Sequence, residues 1–176
     1  MTEMERFAAV RSCAGTALVE TALVLPLVLV LMLNTVNFGI YIYAWITLDN
    51  AARAAAQYRA YNGIVVNFAG APTFAQIQAL ICGAGGDVSH LPNFSATCAN
   101  PTLEICSNKN GAVTCNGSGS HTSFADPEPA RYTVWEADLT YTYTPVFSSF
   151  TIPYMNVSLT LPAGTLHRQV TMRSMQ

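Results

Sequence analysis

Glu20 is the one charged side chain between Arg11 and Asp49, and it stands near the head of an apolar run, Gly15-Thr-Ala-Leu-Val-Glu20-Thr-Ala-Leu-Val-Leu-Pro26. A carboxylate left in hydrocarbon costs on the order of 3 kcal/mol by insertion scales, so it either snorkels to the headgroups or serves a function. The second chemically distinctive group is a cluster of cysteines, Cys82, Cys98, Cys106 and Cys115, with Cys13 set apart before the apolar run. Clustered thiols of this kind form disulfides outside the cytoplasm or hold a metal. No pair has the two-to-four-residue spacing of a zinc knuckle, and His90 and His121 do not stand at ligand offsets, so two disulfides are expected and no metal. Nucleophile-elbow, zinc-protease and phosphate-loop motifs are all missing. The one close acidic pair, Asp126-Pro-Glu128-Pro, reads as a rigid exposed loop, so neither a catalytic centre nor a cofactor is expected.

Composition narrows the class. The chain has 176 residues, 51% of them hydrophobic and only 10% charged, against roughly 25% charged in a soluble domain. A net charge of −2 offers no basic footprint for nucleic acid. One membrane segment and one small domain fit this length.

The elements that position these groups follow from pattern. Ala22 to Leu33 carries no polar side chain, and residues 17–37 supply the ~20 residues a bilayer core requires. Tyr41, Tyr43 and Trp45 would then fall near the far interface, where amphipathic rings collect. Helical character continues through Leu48-Asp-Asn-Ala-Ala-Arg-Ala-Ala-Ala56, because alanine is the best helix former. Leu48, Ala51, Ala52, Ala55 and Tyr58 recur at three- and four-residue steps and make one apolar stripe, with a stop at Asn62-Gly63. A helix from Thr16 to Tyr61 would reach about 70 Å, and Pro26 is tolerated within a membrane segment. The apolar run is too long for the roughly 7–15 residues of a secretory signal core, which leaves an anchor as the expectation.

Beyond Gly63 the reading is a short helix over Thr73–Ile81, then a Gly-, Pro-, Ser- and Asn-rich loop region with a hairpin over 82–131. Residues 132–144 alternate at strand period, Thr151–Leu161 reads as a second strand and Gln169–Arg173 as a third. The fold expected is α+β: a long N-terminal helix whose Leu48/Ala52/Ala55/Tyr58 side packs on a small antiparallel sheet built from 132–173.

Within the loop region, Asn110-Gly111 is a strong type I′ hairpin signal, since both central residues need positive φ. Counting outward from that turn sets Cys106 opposite Cys115 at a non-hydrogen-bonded pair, where Cα atoms lie about 4.5 Å apart. Cys82 and Cys98 are then left to pair with each other, and Cys13 is removed or stays reduced. Arginines stand on both sides of the span and so do not decide its orientation, whereas the clustered cysteines favour an outside C-terminal domain.

Gly15, four small or apolar residues, Glu20 and a long apolar helix together resemble the type IV pilin class. More narrowly, Val19-Glu-Thr-Ala-Leu-Val-Leu-Pro26, Asn37-Phe-Gly-Ile40, Leu48–Ala56, Tyr141-Thr-Tyr-Thr-Pro145 and Leu166–Arg173 resemble the TadE-like family of the tight-adherence (Flp) pilus machinery. Thr21 departs from the Phe or Tyr usual in that family. The resemblance implies a pseudopilin or minor pilin of the bacterial inner membrane, cut after Gly15 by a prepilin peptidase on the cytoplasmic side. It divides the chain into a cytoplasmic leader, 1–15, a long helix, 16–61, with its membrane part at about 17–40, and a periplasmic α+β domain, 62–176. Other pilins and pilus-assembly proteins would be its partners. The new ammonium of Thr16 and the carboxylate of Glu20 would share one helix face at i and i+4, and the carboxylate would meet the positive end of the helix dipole. In an assembly Glu20 would seek a neighbour's ammonium and set the axial register. Two other classes remain to be separated from this one: a membrane-anchored extracytoplasmic binding module outside any fibre, and a membrane-tethered enzyme.

Overall fold

The computed structural model describes residues 3–61, 72–119, 132–147, 149–152, 157–160 and 163–175. The first element is a single helix, α1, Glu3–Ala60, with Pro26 inside it. It starts well before Thr16, the expected start, so the segment ahead of Gly15 is helical too. Its polar interruptions are accommodated by bonding back to the preceding turn. Thr21 Oγ1 donates to the Ala17 carbonyl at 2.8 Å, Asn34 Nδ2 to Val30 at 2.9 Å and Thr35 Oγ1 to Leu31 at 2.9 Å. Such i−4 bonds hide polar groups that lipid could not satisfy.

Two compact units divide the chain: Met1–Gly39 with Val146–Leu161, and Ile40–Pro145 with Pro162–Gln176. The larger unit is built on a four-stranded antiparallel sheet in the order β2-β1-β3-β6, from β1, Thr102–Lys109, β2, Ala112–Gly117, β3, Tyr132–Tyr143, and β6, Gly164–Met175. This corrects the sheet expected from 132–173 alone. The hairpin at 102–117 is not a loop decoration: β1 pairs with β3 from Thr102↔Thr140 to Asn108↔Val134 and puts β2 at the edge. The expected strand over Thr151–Leu161 is instead two short strands, β4, Ser149–Ile152, and β5, Val157–Thr160, paired with each other in a separate two-stranded sheet. Pro153 lies between them and cannot donate to a ladder, which splits the run.

The core explains why the second half of α1 is alanine-rich. Ala44, Leu48, Ala51, Ala52, Ala55 and Ala56 are wholly buried with Leu103, Ile105, Ala137, Leu139, Tyr141 and Leu166 of the sheet. Short side chains let the helix approach the strands closely, and large ones would hold it off. The second helix, α2, Phe74–Cys82, buries Ile77 and Ile81 in the same core. A capping box starts it, with Gln76 N donating to Thr73 Oγ1 at 3.3 Å and Thr73 N donating to Gln76 Oε1 at 2.8 Å. Two cation–π contacts tie α1 to the sheet at separate points: Arg59 lies 4.5 Å over the Trp135 ring, and Arg168 lies 3.5 Å over Trp45. Arg59 also donates to the Pro72 carbonyl, and burial pushes its guanidinium below its ordinary pKa.

Tyr141 is buried in this core and donates its hydroxyl to the Pro92 carbonyl. Burial pushes the phenol up to about 12, with Tyr143 adding to the shift. A raised folded-state value means the stabilisation is complete below the ordinary value of 10.0 and is lost as pH climbs toward about 12. Chemical unfolding of the detergent-solubilised protein should therefore show a falling midpoint across that window. Tyr141→Phe should lose less there, having already given up about 1 kcal/mol of hydrogen bonding at neutral pH. Identical alkaline losses in both proteins would contradict the assignment.

The alanine stripe is tested separately. Ala55→Leu should destabilise the fold by about 1–3 kcal/mol through overpacking, read as a lower denaturant midpoint. An unchanged midpoint would mean that the stripe is not in close contact with the strands.

Candidate functional site

Gly15, Thr16 and Glu20 lie in consecutive turns of α1, and both Thr16 and Glu20 are exposed. Gly15 is the weakest helix former of its neighbourhood, about 1 kcal/mol worse than alanine, so the helix is most easily opened there. Among the described residues no side chain pairs with Glu20. Its carboxylate is exposed on a stretch of helix where Leu18, Val19, Leu23 and Val24 are exposed as well, Leu23 and Val24 on its own face. That face is an unshielded apolar surface with one acid on it. It suits lipid, or packing against another apolar helix that brings a cation to Glu20.

Apolar exposure continues through Leu25, Leu27, Leu31, Met32, Val36 and Phe38. Thr16–Ala60 is long and apolar enough to cross a membrane. The aromatic girdle expected at the far end is divided in use. Tyr43 is exposed, as an interfacial ring would be, but Tyr41 turns inward and meets Tyr143 edge-on at 5.3 Å between ring centres. Trp45 lies under Arg168.

The cysteines are placed by the hairpin. Asn110 and Gly111 take φ of 56° and 81°, which a β-branched or bulky residue would resist, and Asn108 Oδ1 accepts from Gly111 N at 3.0 Å. The register is Lys109↔Ala112, Asn108↔Val113, Ser107↔Thr114 and Cys106↔Cys115, the count made from the turn. Cys106 and Cys115 are bonded with Cα atoms 4.0 Å apart, and Cys82 and Cys98 are bonded with Cα atoms 5.4 Å apart. Glu104 lies beside the Cys106 and Cys115 sulfurs, but sulfurs joined to each other are not thiolates, so that trio does not make a metal site. His121, Asp126 and Glu128 lie outside the described residues.

Two polar features had no clear signal in sequence. Glu136 and Asp138 interrupt an otherwise alternating strand, which suggests solvent, yet both are buried because β3 is covered on both faces. Asp138 Oδ2 meets His167 Nε2 at 2.7 Å across the β3–β6 pair. Asn37 reads in sequence as a break in the apolar run, but it is buried and bonds twice to one residue. Its Nδ2 donates to the Phe147 carbonyl at 3.1 Å, and its Oδ1 accepts from Phe147 N at 3.4 Å. The usable signal was positional: Val30, Leu33, Asn34 and Asn37 share a helix stripe at three- and four-residue steps.

These features define a class: an α+β domain carrying one long N-terminal helix suited to single-span membrane anchoring, with two disulfides and an acid near the head of the apolar segment. Residues 15–57 match the family model described as TadE-like protein, a match that begins at Gly15, includes Glu20 and ends just before the last turn of α1. No curated protein and no solved structure matches the chain.

Because Glu20 pairs with no side chain among the described residues, Glu20→Ala should leave the protein as stable as wild type, read as an unchanged denaturant midpoint. A lowered midpoint would assign Glu20 to the fold.

Proposed function

We infer that this chain is a structural subunit of a tight-adherence pilus assembly, a pseudopilin or minor pilin held in the bacterial inner membrane by α1 with its α+β domain on the periplasmic side. The observation that carries this reading is the TadE-like match over 15–57, with Gly15 at its first position and Glu20 five residues on. Association with the tight-adherence pilus is what that family suggests; the finer role rests on the site.

The role follows from what each residue offers. Prepilin peptidase would cut after Gly15, where the lack of a side chain leaves the peptide bond accessible and the helix weakest. Thr16 would then carry a free ammonium at the head of a helix whose next turn bears Glu20. Within one chain the two charges neutralise each other and let the segment stay in lipid. Between chains, a neighbour's ammonium satisfies Glu20 and fixes how far one subunit is displaced along the next. The exposed apolar face of α1 supplies the packing surface, and the role is assembly rather than catalysis.

The mature N-terminus decides between this and a static membrane anchor. Intact mass of the protein extracted from membranes should correspond to a chain beginning at Thr16 when the peptidase is present, and to the uncut chain when it is absent. Gly15→Val should give only the uncut form. A chain that keeps Met1 in the presence of the peptidase supports a binding module that never enters a fibre.

A further inference from the structure

We propose that the β4–β5 hairpin is a lipid-facing foot that rests in the outer interfacial layer of the bilayer beside α1. The hairpin shares a compact unit with the N-terminal part of α1, Met1–Gly39, and is separate from the four-stranded sheet. It is fastened there by Asn37, which satisfies both the N–H and the C=O of Phe147, the residue that leads into β4. Val30 is 9% exposed although Leu29 and Leu31 on either side of it are bare, and the rest of this unit is the segment Val146–Leu161.

Depth follows from helix geometry. A hydrocarbon core of about 30 Å takes roughly 20 residues. The apolar segment begins at Thr16, so the core ends near residue 35. Val30 and Asn37 are seven residues apart, about 10 Å along the axis. The unit's second segment therefore flanks α1 at the level where interfacial elements bury their apolar side, about 5–10 Å deep. A two-stranded hairpin has unpaired backbone edges and could not go deeper, since hydrocarbon offers them no partners.

Composition agrees with that placement. Between Asp138 and His167 there is no charged side chain, and the segment includes Val146, Phe147, Phe150, Ile152, Val157 and Leu159. Val146 and Phe147 are exposed at 56% and 41%, so the described residues leave a large part of each bare. A water-facing hairpin of this length would be expected to carry charge. Continuity with the spanning helix identifies the occupant as lipid.

This proposal rests on α1 spanning the membrane, and the experiment separates the two. Single tryptophans are added at Phe147, at Leu27 in the span and at Val113 on the exposed β2 strand. Each full-length protein is reconstituted into phosphatidylcholine–phosphatidylglycerol vesicles with or without bromine on the acyl chains. The signal is the added tryptophan's emission above that of wild type. Phe147→Trp keeps the backbone bonds to Asn37, so the fastening survives. If the hairpin is a lipid foot, Leu27→Trp and Phe147→Trp each lose about half their added emission or more in brominated vesicles while Val113→Trp is unchanged. Quenching at Leu27 without quenching at Phe147 overturns the foot and leaves the span intact, and would assign the hairpin to a protein partner. No quenching at Leu27 overturns both.

Discussion

A helix that must satisfy two surroundings is the constraint on which this structure depends. The first part of α1 exposes leucine, valine and phenylalanine that the described residues leave bare, and the later part buries alanine after alanine in a protein core. One hydrogen-bonded rod meets both demands because backbone satisfaction in a helix is internal to the segment, whatever lies around it. Side-chain size then decides what each part meets. Bulky aliphatics present a broad apolar surface, and alanines admit a sheet at close range. Thr21, Asn34 and Thr35 show the same logic at single residues, since each bonds to its own helix.

The domain depends on that stripe. A sheet with β3 at its centre needs cover on its apolar face, and α1 and α2 provide it through Ala52, Ala55, Ile77 and Ile81. Non-covalent anchors and covalent staples take different tasks. Arg59–Trp135 and Arg168–Trp45 hold the helix to strands β3 and β6. The disulfides serve two settings: Cys82–Cys98 ties the end of α2 to the loop before β1 inside the core, and Cys106–Cys115 closes a hairpin whose outer strand is exposed along its whole length. A two-stranded extension of that kind would be marginal without a staple.

What could be read from sequence was what local physics determines. Asn110-Gly111 set the turn, the turn set the register, and the register set which cysteines meet. The stripe from Leu48 to Tyr58 set the buried side of α1, and Thr73 marked the start of α2. What could not be read was set by partners distant in sequence. The hairpin was legible, but not that its strand β1 joins the main sheet, because that depends on Thr102 to Asn108 finding β3. Glu136 and Asp138 look solvated because nothing local announces a second covered face. Asn37 looks like an interruption because its partner, Phe147, is 110 residues away. At the head of α1 the case is reversed. Gly15 and Glu20 are candidates from type and spacing alone, and the fold adds only that Glu20 is exposed.

Amide hydrogen exchange of the protein in vesicles tests most directly whether one helix serves both surroundings. Protection should extend over residues 18–36, where lipid covers the chain, and over 44–60, where the sheet does, with slow exchange in both. Fast exchange within 18–36 would mean that this part is not held in a membrane. Fast exchange within 44–60 would mean that the alanine stripe does not form the core described here.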